Sequence, residues 1–188
     1  MYFKTSTMQN HKTLINGPIN YTLSKLIIVI LLLNTFTVYT QTGETYFNLA
    51  AAQSDSGKFE SAIKNYTKCI EIEPNLMEAY HNRALAKSNL KDYKGAILDH
   101  DKSIALDSGN ADAYYNRGRA KLFIRDLEGC ILDNTKTLAL NPNFGLAYIN
   151  RGLANVYLGN KDAGCSDLIK AKKLNAAYAQ DIMNAYCK

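Results

Sequence analysis

Asp99, His100 and Asp101 form the run of the sequence in which neighbouring side chains most suggest chemistry. Imidazole and carboxylate groups bind metal ions, and a histidine beside a carboxylate can transfer protons in catalysis. Consecutive residues of a helix point to different faces, however, so these three side chains would not converge on one ion. No phosphate-binding loop or nucleophile motif accompanies them. We therefore expect no metal, no cofactor and no catalytic residue, and an enzyme that uses His100 and Asp99 is kept as a distant alternative.

Thiol oxidation is the second possible chemistry, because the sequence contains Cys69, Cys130, Cys165 and Cys187. A disulfide forms only between cysteines that the fold brings close together. The elements that position the four cysteines therefore have to be derived before a pairing can be predicted.

Four similar segments follow one another along the chain at a constant spacing, and they begin at Tyr46, Tyr80, Tyr114 and Tyr148. A regular period of this size indicates stacked supersecondary units, each too small to bury its own apolar face. In each unit, apolar and small residues recur every three or four positions, which predicts helices. Helix-breaking pairs divide every unit in two: Gly57-Lys58, Lys91-Asp92, Arg125-Asp126 and Gly159-Asn160. The sequence thus predicts four helical hairpins, whose helices have about three turns each.

The four segments resemble the tetratricopeptide repeat in their order of aromatic and small residues. In the first unit these positions hold Tyr46, Ala50, Phe59, Ala62, Cys69 and Pro74. The fourth unit departs from the pattern, because Lys161 replaces the second aromatic residue. The resemblance implies an all-α fold, an α-solenoid of four such hairpins in a right-handed superhelix. We expect the repeats at residues 44–77, 78–111, 112–145 and 146–174, and a C-terminal capping helix at residues 175–188.

The resemblance also implies that the first helix of each hairpin lines a concave groove for a protein or peptide partner. One column of side chains on these helices is the same in every unit: Asn48, Asn82, Asn116 and Asn150. Beside it run Phe47, His81, Tyr115 and Ile149, and Arg119 lies one turn further along. Asparagine can donate and accept hydrogen bonds with a peptide backbone, and aromatic residues would add apolar contact area. The alternative is that these asparagines are simply common in the repeat and contact only solvent.

One particular function of this family is not expected here. Some of its members are chaperone cofactors that hold an acidic C-terminal tail in a clamp of lysine, arginine and asparagine. At the matching positions only Asn82 carries the required residue, and Asp112 would repel an acidic tail.

An arginine and an aspartate sixteen residues later occur together in three of the four units. The pairs are Arg83 with Asp99, Arg117 with Asp133, and Arg151 with Asp167. The first unit lacks both residues and has Leu49 and Asn65 instead. Because the two residues are present or absent together, we predict a structural ion pair inside each of the three hairpins.

The repeat positions of the cysteines favour one disulfide, between Cys165 and Cys187. Cys165 is expected to face the following helix, and residues equidistant from a turn lie opposite each other in antiparallel helices. The midpoint of this pair is Ala176, where the turn should fall. The apolar side of the capping helix should consist of Tyr178, Ile182 and Tyr186. Cys69 and Cys130 occupy inward positions two units apart and should remain buried thiols.

The leader at residues 1–40 has the order of a secretory signal: lysines, the apolar run Leu26–Leu33 and a polar exit near Thr40. An uncleaved membrane anchor formed by residues 23–39 is the alternative. The net charge of the chain is +5, but residues 1–40 carry three lysines and no acidic residue, so the remainder is nearly neutral. This distribution gives no reason to expect a nucleic-acid partner. We expect a signal peptide at residues 1–40 and export to the periplasm or the secreted space.

The segment "GNKDAGCSDLIKAKKLN", residues 159–175, resembles the end of exported repeat proteins from Bacteroidetes-type bacteria. Together, these features predict a non-enzymatic protein–protein interaction module of the cell envelope or secreted space, whose partner binds in the concave groove. The alternative is an assembly scaffold tethered to the membrane by an uncleaved leader, and only then would the protein contact a membrane.

Overall fold

The computed structural model describes residues 43–188, which form α-helices joined by short turns. The helices are α1 (43–55), α2 (Phe59–Ile72), α3 (Met77–Asn89), α4 (Tyr93–Leu106), α5 (Ala111–Phe123), α6 (Leu127–Leu140), α7 (Gly145–Tyr157), α8 (Lys161–Lys173) and α9 (Ala179–Tyr186). The described residues contain no β-strand. The prediction of an all-α fold is therefore confirmed.

The turn inside each hairpin contains a residue in the left-handed backbone region. In the first and fourth hairpins this residue is glycine, Gly57 with φ 72° and Gly159 with φ 86°. The second and third hairpins place Lys91 and Arg125 in the same conformation, with φ 63° and 65°. Glycine adopts this region at little cost, whereas other residues meet a steric penalty. The helix-breaking pairs thus mark the turns, but two of the four turns use a long cationic side chain where glycine would fit more easily.

Successive helices pack against each other along the chain from α2 to α9, and α5 also contacts α3 and α7. The first helices of neighbouring hairpins therefore form one layer, and the second helices form the other. This arrangement is the α-solenoid of helical hairpins that the repeat predicts. Each hairpin adds one helix to each layer, so equivalent residues of successive hairpins form a column that runs along the solenoid.

Small residues lie where the two helices of each hairpin cross. Ala50 and Ala62 are completely buried at the first crossing. At the fourth crossing both residues are glycine, and a Cβ atom built on Gly152 would lie 2.9 Å from the carbonyl oxygen of Gly164. A Cβ atom on Gly164 would lie 2.7 Å from the carbonyl oxygen of Gly152. The backbones of α7 and α8 therefore approach too closely for any larger side chain. This close approach explains why the fourth repeat has glycine at both positions.

The C-terminal cap differs from the sequence-based expectation in its length and in its buried face. The chain takes left-handed conformations at Asn175, with φ 53°, and at Tyr178, with φ 63°, so α9 begins only at Ala179. The Tyr178 side chain is 76% exposed, and the prediction that it belongs to the apolar face of the cap is wrong. Ala179 is buried in its place, with Ile182 and Met183 partly buried beside it. The turn extends past Ala176, and the later start of the helix rotates a different set of side chains toward α8.

The predicted signal peptide at residues 1–40, with its alternative of an anchor at residues 23–39, lies outside the described residues. None of the described helices combines the length and the apolar character that crossing a bilayer needs.

Candidate functional site

The four asparagines of the predicted groove differ in their exposure along the solenoid. Asn48 is exposed, Asn82 and Asn116 are half-buried, and Asn150 is only 8% exposed. The amide of Asn116 donates a hydrogen bond to the carbonyl oxygen of Asp112 at 2.9 Å. The amide nitrogen of Asn150 is buried and has no acceptor among the described residues. The column therefore offers polar groups along the first-helix layer, and its last member carries an unused donor.

The neighbouring column consists of Phe47, His81, Tyr115 and Ile149, and these side chains pack into the interior of the solenoid. The Phe47 ring meets the ring of Tyr66 edge-on, with centroids 5.7 Å apart. Ile149 is 7% exposed and packs in the apolar cluster that contains Leu168. Tyr115 is half-buried and lies against Phe144 at 4.8 Å. Phe47 and Tyr115 therefore keep part of their surface accessible, whereas Ile149 is almost completely covered.

His100 lies beneath His81 and is completely buried, with ring centroids 5.3 Å apart. Neither ring nitrogen of His100 has a hydrogen-bond partner among the described residues. Burial, and then the charges of His81, Arg117 and Arg119, lower the pKa of His100 to about 3, although Asp99 acts in the opposite direction. The carboxylate of Asp99 is bound by Arg83 and is not directed at the imidazole. This geometry does not favour an enzyme that uses His100 and Asp99, because a substrate cannot reach the ring.

Acidic pH should destabilise the protein through His100. The folded pKa of about 3 lies below the unfolded value of 6.5, so only the unfolded chain takes up a proton between these values. Each pH unit below 6.5 therefore removes about 1.4 kcal/mol of stability, and the loss reaches about 2 kcal/mol at pH 5. Urea unfolding from pH 7 to pH 5 measures this loss together with that of His81, whose pKa is also lowered by burial.

The matched variant is His100→Asn, which introduces the residue found at the equivalent Asn134. Because asparagine does not titrate, this variant should lose about 2 kcal/mol less than the wild type over the same pH range. An identical pH dependence of the two proteins would contradict the assignment.

Each of the three predicted arginine–aspartate combinations forms a paired contact within its own hairpin. Arg83 donates to Asp99 from Nε at 2.8 Å and from an Nη atom at 2.6 Å. Arg117 contacts Asp133 in the same way at 2.9 Å and 2.6 Å. The third pair, Arg151 with Asp167, has both distances at 2.8 Å. Bidentate pairing of this kind is both stronger and more directional than a single contact between charges.

Lysines that the sequence analysis did not single out complete two of these contacts. Lys87 lies 2.7 Å from Asp99, and Lys121 lies 2.9 Å from Asp133. The fourth hairpin has Asn155 at this position, and the first hairpin replaces the whole arrangement by an amide pair, with Asn65 donating to Gln53 at 2.9 Å. A column of Gln53, Lys87, Lys121 and Asn155 at the repeat spacing is the sequence signal that would have identified them.

The same arginines also join each hairpin to the preceding one. The remaining Nη atom of Arg83 donates to Thr67 at 2.9 Å, and that of Arg151 donates to Thr135 at 3.2 Å. Arg117 forms an ion pair at the equivalent position, where its Nη atom lies 2.6 Å from Asp101. The second acidic residue of the Asp99–Asp101 run is thus explained by a contact between hairpins. Within residues 43–188, no three histidine, cysteine, aspartate or glutamate side chains are grouped closely enough to hold a metal ion.

The cysteines separate into one close pair and two isolated residues. Cys165 on α8 and Cys187 at the end of α9 are at disulfide distance, with their Cα atoms 5.7 Å apart. Cys69 and Cys130 are buried thiols. Burial raises the pKa of Cys69, and it raises the pKa of Cys130 to about 12. Neither buried thiol is therefore activated as a nucleophile at neutral pH.

Arg119 lines a cavity of about 420 Å³ between α5 and α7. Its wall also includes Asn150 and Arg125, a turn residue that the sequence analysis treated only as a helix breaker. The cavity lies in the layer of first helices, where the two columns of the predicted groove run. It is the place in that layer where two cations and an unused amide donor come together.

Stacked helical hairpins with a recurring column of polar side chains on one layer define a repeat protein of the α-solenoid class. Models of the tetratricopeptide repeat match residues 43–76 and residues 78–110. Residues 43–110 therefore contain two tetratricopeptide repeats. The third and fourth hairpins, which these models do not match, have the same helical arrangement in the structure.

Solved structures of the same class support this assignment. A crystal structure of MamA has a TM-score of 0.70 and 26% identity, and the match covers 78% of this chain and 86% of that one. The first TPR domain of Spaghetti (RPAP3), bound to the HSP90 peptide SRMEEVD, has a TM-score of 0.62 and 28% identity over 63% of this chain and 94% of that one. The second TPR domain of human RPAP3, in complex with the HSP70 peptide SGPTIEEVD, has a TM-score of 0.60 and 25% identity over 62% and 98%. No curated protein matches the chain.

Proposed function

We propose that the protein is a protein–protein interaction module that holds an extended peptide of its partner against the layer of first helices. The observation that carries this proposal is the column of Asn48, Asn82, Asn116 and Asn150, which repeats along that layer. A carboxamide can accept from a peptide N–H group and donate to a peptide carbonyl group. A column at the repeat spacing therefore suits the regular backbone of an extended chain, whatever its side chains are.

Two similar solved structures support a peptide as the partner, because each contains a tetratricopeptide repeat domain with a bound peptide. The acidic peptides in those structures are not proposed for this chain. Asp112 stands where a clamp for an acidic tail needs a lysine, and the half-buried Phe47 stands where it needs another.

The proposed site of action is the cell envelope or the secreted space. The sequence of residues 1–40, in which lysines precede an apolar run and a polar exit, supports export and cleavage near Thr40. A membrane-tethered scaffold is the second candidate, and the short apolar run Leu26–Leu33 is the feature that favours cleavage over this alternative. Both candidates use the same groove.

Replacing Asn82 and Asn116 with alanine should weaken partner binding without unfolding the protein. Both side chains are half-buried, and Asn82 also forms a hydrogen bond with the buried Tyr66. The free energy of unfolding should therefore fall by about 1 kcal/mol, which leaves the protein folded. Loss of two backbone hydrogen bonds should weaken binding by about tenfold or more. Affinity capture from envelope extracts with the wild-type chain identifies the partner, and titration of that partner measures the change.

The matched control is the double variant Asn143→Ala and Asn184→Ala, which removes two exposed asparagines that lie outside the first helices α1, α3, α5 and α7. It should bind the captured partner as the wild type does. If the folded Asn82→Ala, Asn116→Ala variant captures the partner as well as the wild type does, the proposal is contradicted. The asparagines would then contact only solvent.

A further inference from the structure

The layer of second helices, α2, α4, α6 and α8, presents leucines to solvent at equivalent positions of two neighbouring hairpins. Leu98 on α4 is 66% exposed, and Leu132 on α6 is 70% exposed. Two turns further along the same helices, Leu106 and Leu140 are 42% and 38% exposed. This spacing keeps the two leucines of each helix in one stripe. Leucines scattered singly need no partner, but a stripe that recurs on neighbouring helices indicates an interaction surface.

The leucine stripes are confined to the two middle hairpins. The positions equivalent to Leu98 and Leu132 hold Lys64 on α2 and Ser166 on α8, and both of these side chains are exposed. The repeat therefore does not require an apolar residue at this position. The two exposed leucines need an explanation outside the packing of the solenoid.

A column of lysines runs through the same layer. Each second helix has a lysine at one repeat position, and all four are exposed: Lys68, Lys102, Lys136 and Lys170. None of them forms an ion pair with another described residue. Lys102 lies four residues from both Leu98 and Leu106, so it is their neighbour on the surface of α4, and Lys136 has the same place on α6. The layer thus combines unpaired cations and exposed leucines on one surface.

The aspartates of α4 and α6 do not neutralise this lysine column. Asp101 is bound by Arg117 at 2.6 Å. Asp99 and Asp133 are buried, and each is bound by one arginine and one lysine of the preceding first helix. These three carboxylates already have cationic partners, so the charges of the lysine column remain available.

The exposed acidic residues of the second helices lie mainly at the opposite end. First turns of α2, α6 and α8 contain Glu60, Glu128 and Asp162. Glu71 and Asp107 lie nearer to the lysine column, but its four lysines outnumber them. The surface from the middle of the second helices to their C-terminal ends is therefore cationic.

The layer of second helices lies on the outer side of the curve of the solenoid. Among the described helices, α5 contacts both α3 and α7, whereas the second helices make no comparable contacts with one another. Successive second helices are therefore further apart than successive first helices, and their layer is convex. A flat partner would meet the middle helices α4 and α6 first, and these are the helices with the leucine stripes.

We infer that the layer of second helices binds an anionic membrane surface, with Leu98 and Leu132 inserted among the lipid headgroups and the lysine column bound to lipid phosphates. Lysines near an anionic bilayer gain electrostatic attraction, and leucines gain by entering the boundary between headgroups and acyl chains. The contact does not depend on the leader. It uses the layer opposite the proposed groove, so the first helices stay open to a protein partner while the chain lies on the membrane.

A bilayer fits this surface better than other partners do. Two copies of the chain would bring one lysine column against another, and the like charges would repel. A nucleic acid would contact the lysines through its phosphates but would give the leucines no apolar partner. A folded protein would need a separate pocket for each leucine, because α4 and α6 are not in close contact. Fluid lipid accepts side chains at any spacing.

A tryptophan at position 132 tests the insertion directly, because the natural chain contains no tryptophan. The full chain with Leu132→Trp is mixed with vesicles of phosphatidylglycerol and phosphatidylcholine in equal parts. The indole emission should shift to shorter wavelength, and brominated lipids should quench it. Leu146→Trp is the matched control, because Leu146 is 40% exposed on the first helix α7, and its emission should not change. An unshifted Leu132→Trp emission, or an equal shift in both variants, would overturn the inference.

Cosedimentation with the same vesicles measures the contribution of the lysines. Lys102→Gln with Lys136→Gln should weaken binding by about tenfold or more and should not affect binding to vesicles of phosphatidylcholine alone. Lys58→Gln with Lys91→Gln is the matched control, because it removes the same charge from exposed turn residues outside the column. It should bind as the wild type does. Equal weakening by both pairs would show that only the net charge matters and would contradict the assignment to this layer.

The leucines are tested in the same assay. Leu98→Ser with Leu132→Ser introduces the residue of the equivalent Ser166 and should weaken binding to the anionic vesicles by about tenfold or more. Leu49→Ser with Leu146→Ser removes two exposed leucines of the first helices and should bind as the wild type does. Any contribution of the leader is common to all these variants. Wild-type binding by the Leu98, Leu132 pair would overturn the inference.

The outcomes also distinguish lipid from protein at this surface and separate the inference from the groove. If the wild type ignores the vesicles but the lysine and leucine variants lose an envelope protein that the wild type captures, the layer is a protein-docking surface and the lipid assignment fails. Asn82→Ala with Asn116→Ala should bind vesicles as the wild type does. Failure of the groove proposal therefore leaves this inference standing, whereas weaker vesicle binding by that variant would contradict the use of opposite layers.

Discussion

Replacing Arg117 with alanine should lower the free energy of unfolding by about 3 kcal/mol or more. The reason is that the Asp133 carboxylate, which accepts from Arg117 at 2.6 Å and 2.9 Å, is only 5% exposed. Removal of the guanidinium takes away the two hydrogen bonds that this buried carboxylate accepts from Arg117. Lys121, at 2.9 Å, remains as a second cation and keeps the loss near the lower end of the range for broken buried pairs.

Arg117 should matter for a second reason, which is its contact with the preceding hairpin. It also lies 2.6 Å from Asp101. Burial lowers the pKa of the Arg117 guanidinium, but its hydrogen bonds and charge interactions with Asp133 and Asp101 outweigh this, and the pKa stands above its ordinary value. The charged form is therefore favoured by its surroundings. Loss of the contact with Asp101 also weakens the interface between two hairpins, on which the stability of a solenoid depends.

Arg119 is the matched control, because it lies two residues away on the same helix and has no ion pair with another described residue. Arg119→Ala should change the free energy of unfolding by less than about 1 kcal/mol. Urea denaturation followed by circular dichroism measures both variants. A double-mutant cycle with Asp133→Ala should then show a coupling energy of about 1 kcal/mol or more between the two side chains. Equal stabilities of the Arg117→Ala and Arg119→Ala variants would show that the pair contributes no more than an exposed one.

The fold and the ion pairs could be predicted from the sequence for the same reason, because the four repeats can be aligned with one another. The constant repeat spacing shows which positions are equivalent, and the joint absence of arginine and aspartate from the first unit suggests which residues meet. The contacts between hairpins were not accessible in this way. Thr67, Asp101 and Thr135 share only the ability to accept a hydrogen bond, so no single residue type marks their column.

The cavity was missed because two of its features depend on backbone geometry. In the sequence, Arg125 is recognisable only as one residue of a helix-breaking pair. No sequence feature predicts that its side chain lies on the side of α7. The unused donor of Asn150 arises because α7 is packed more deeply than the other first helices, which leaves Asn150 8% exposed while Asn48 is exposed. Identical residues in a repeat therefore do not have identical environments at the end of a solenoid.

The capping helix should be held by a disulfide between Cys165 and Cys187 in the protein isolated from its own compartment. The Cα atoms lie 5.7 Å apart, within the range that a disulfide requires, and an oxidising compartment allows the bond to persist. Non-covalent contacts already position the cap. Lys161 donates to the carbonyl oxygen of Lys188 at 2.7 Å, and Ile182 and Met183 pack against the cluster that contains Leu168.

Cys187→Ser should lower the free energy of unfolding by about 3 kcal/mol, the value for a closed loop of this length in the chain-entropy model. A reducing agent should lower the stability of the wild type to that of the variant and should leave the variant unchanged. Cys165→Ser should match Cys187→Ser, and the double variant should be no less stable than either, because all three lack the same single bond. Peptide mapping without reduction checks the pairing directly. Cys187 found as a free thiol, or joined to Cys69 or Cys130, would contradict it, because those two thiols are buried in other hairpins.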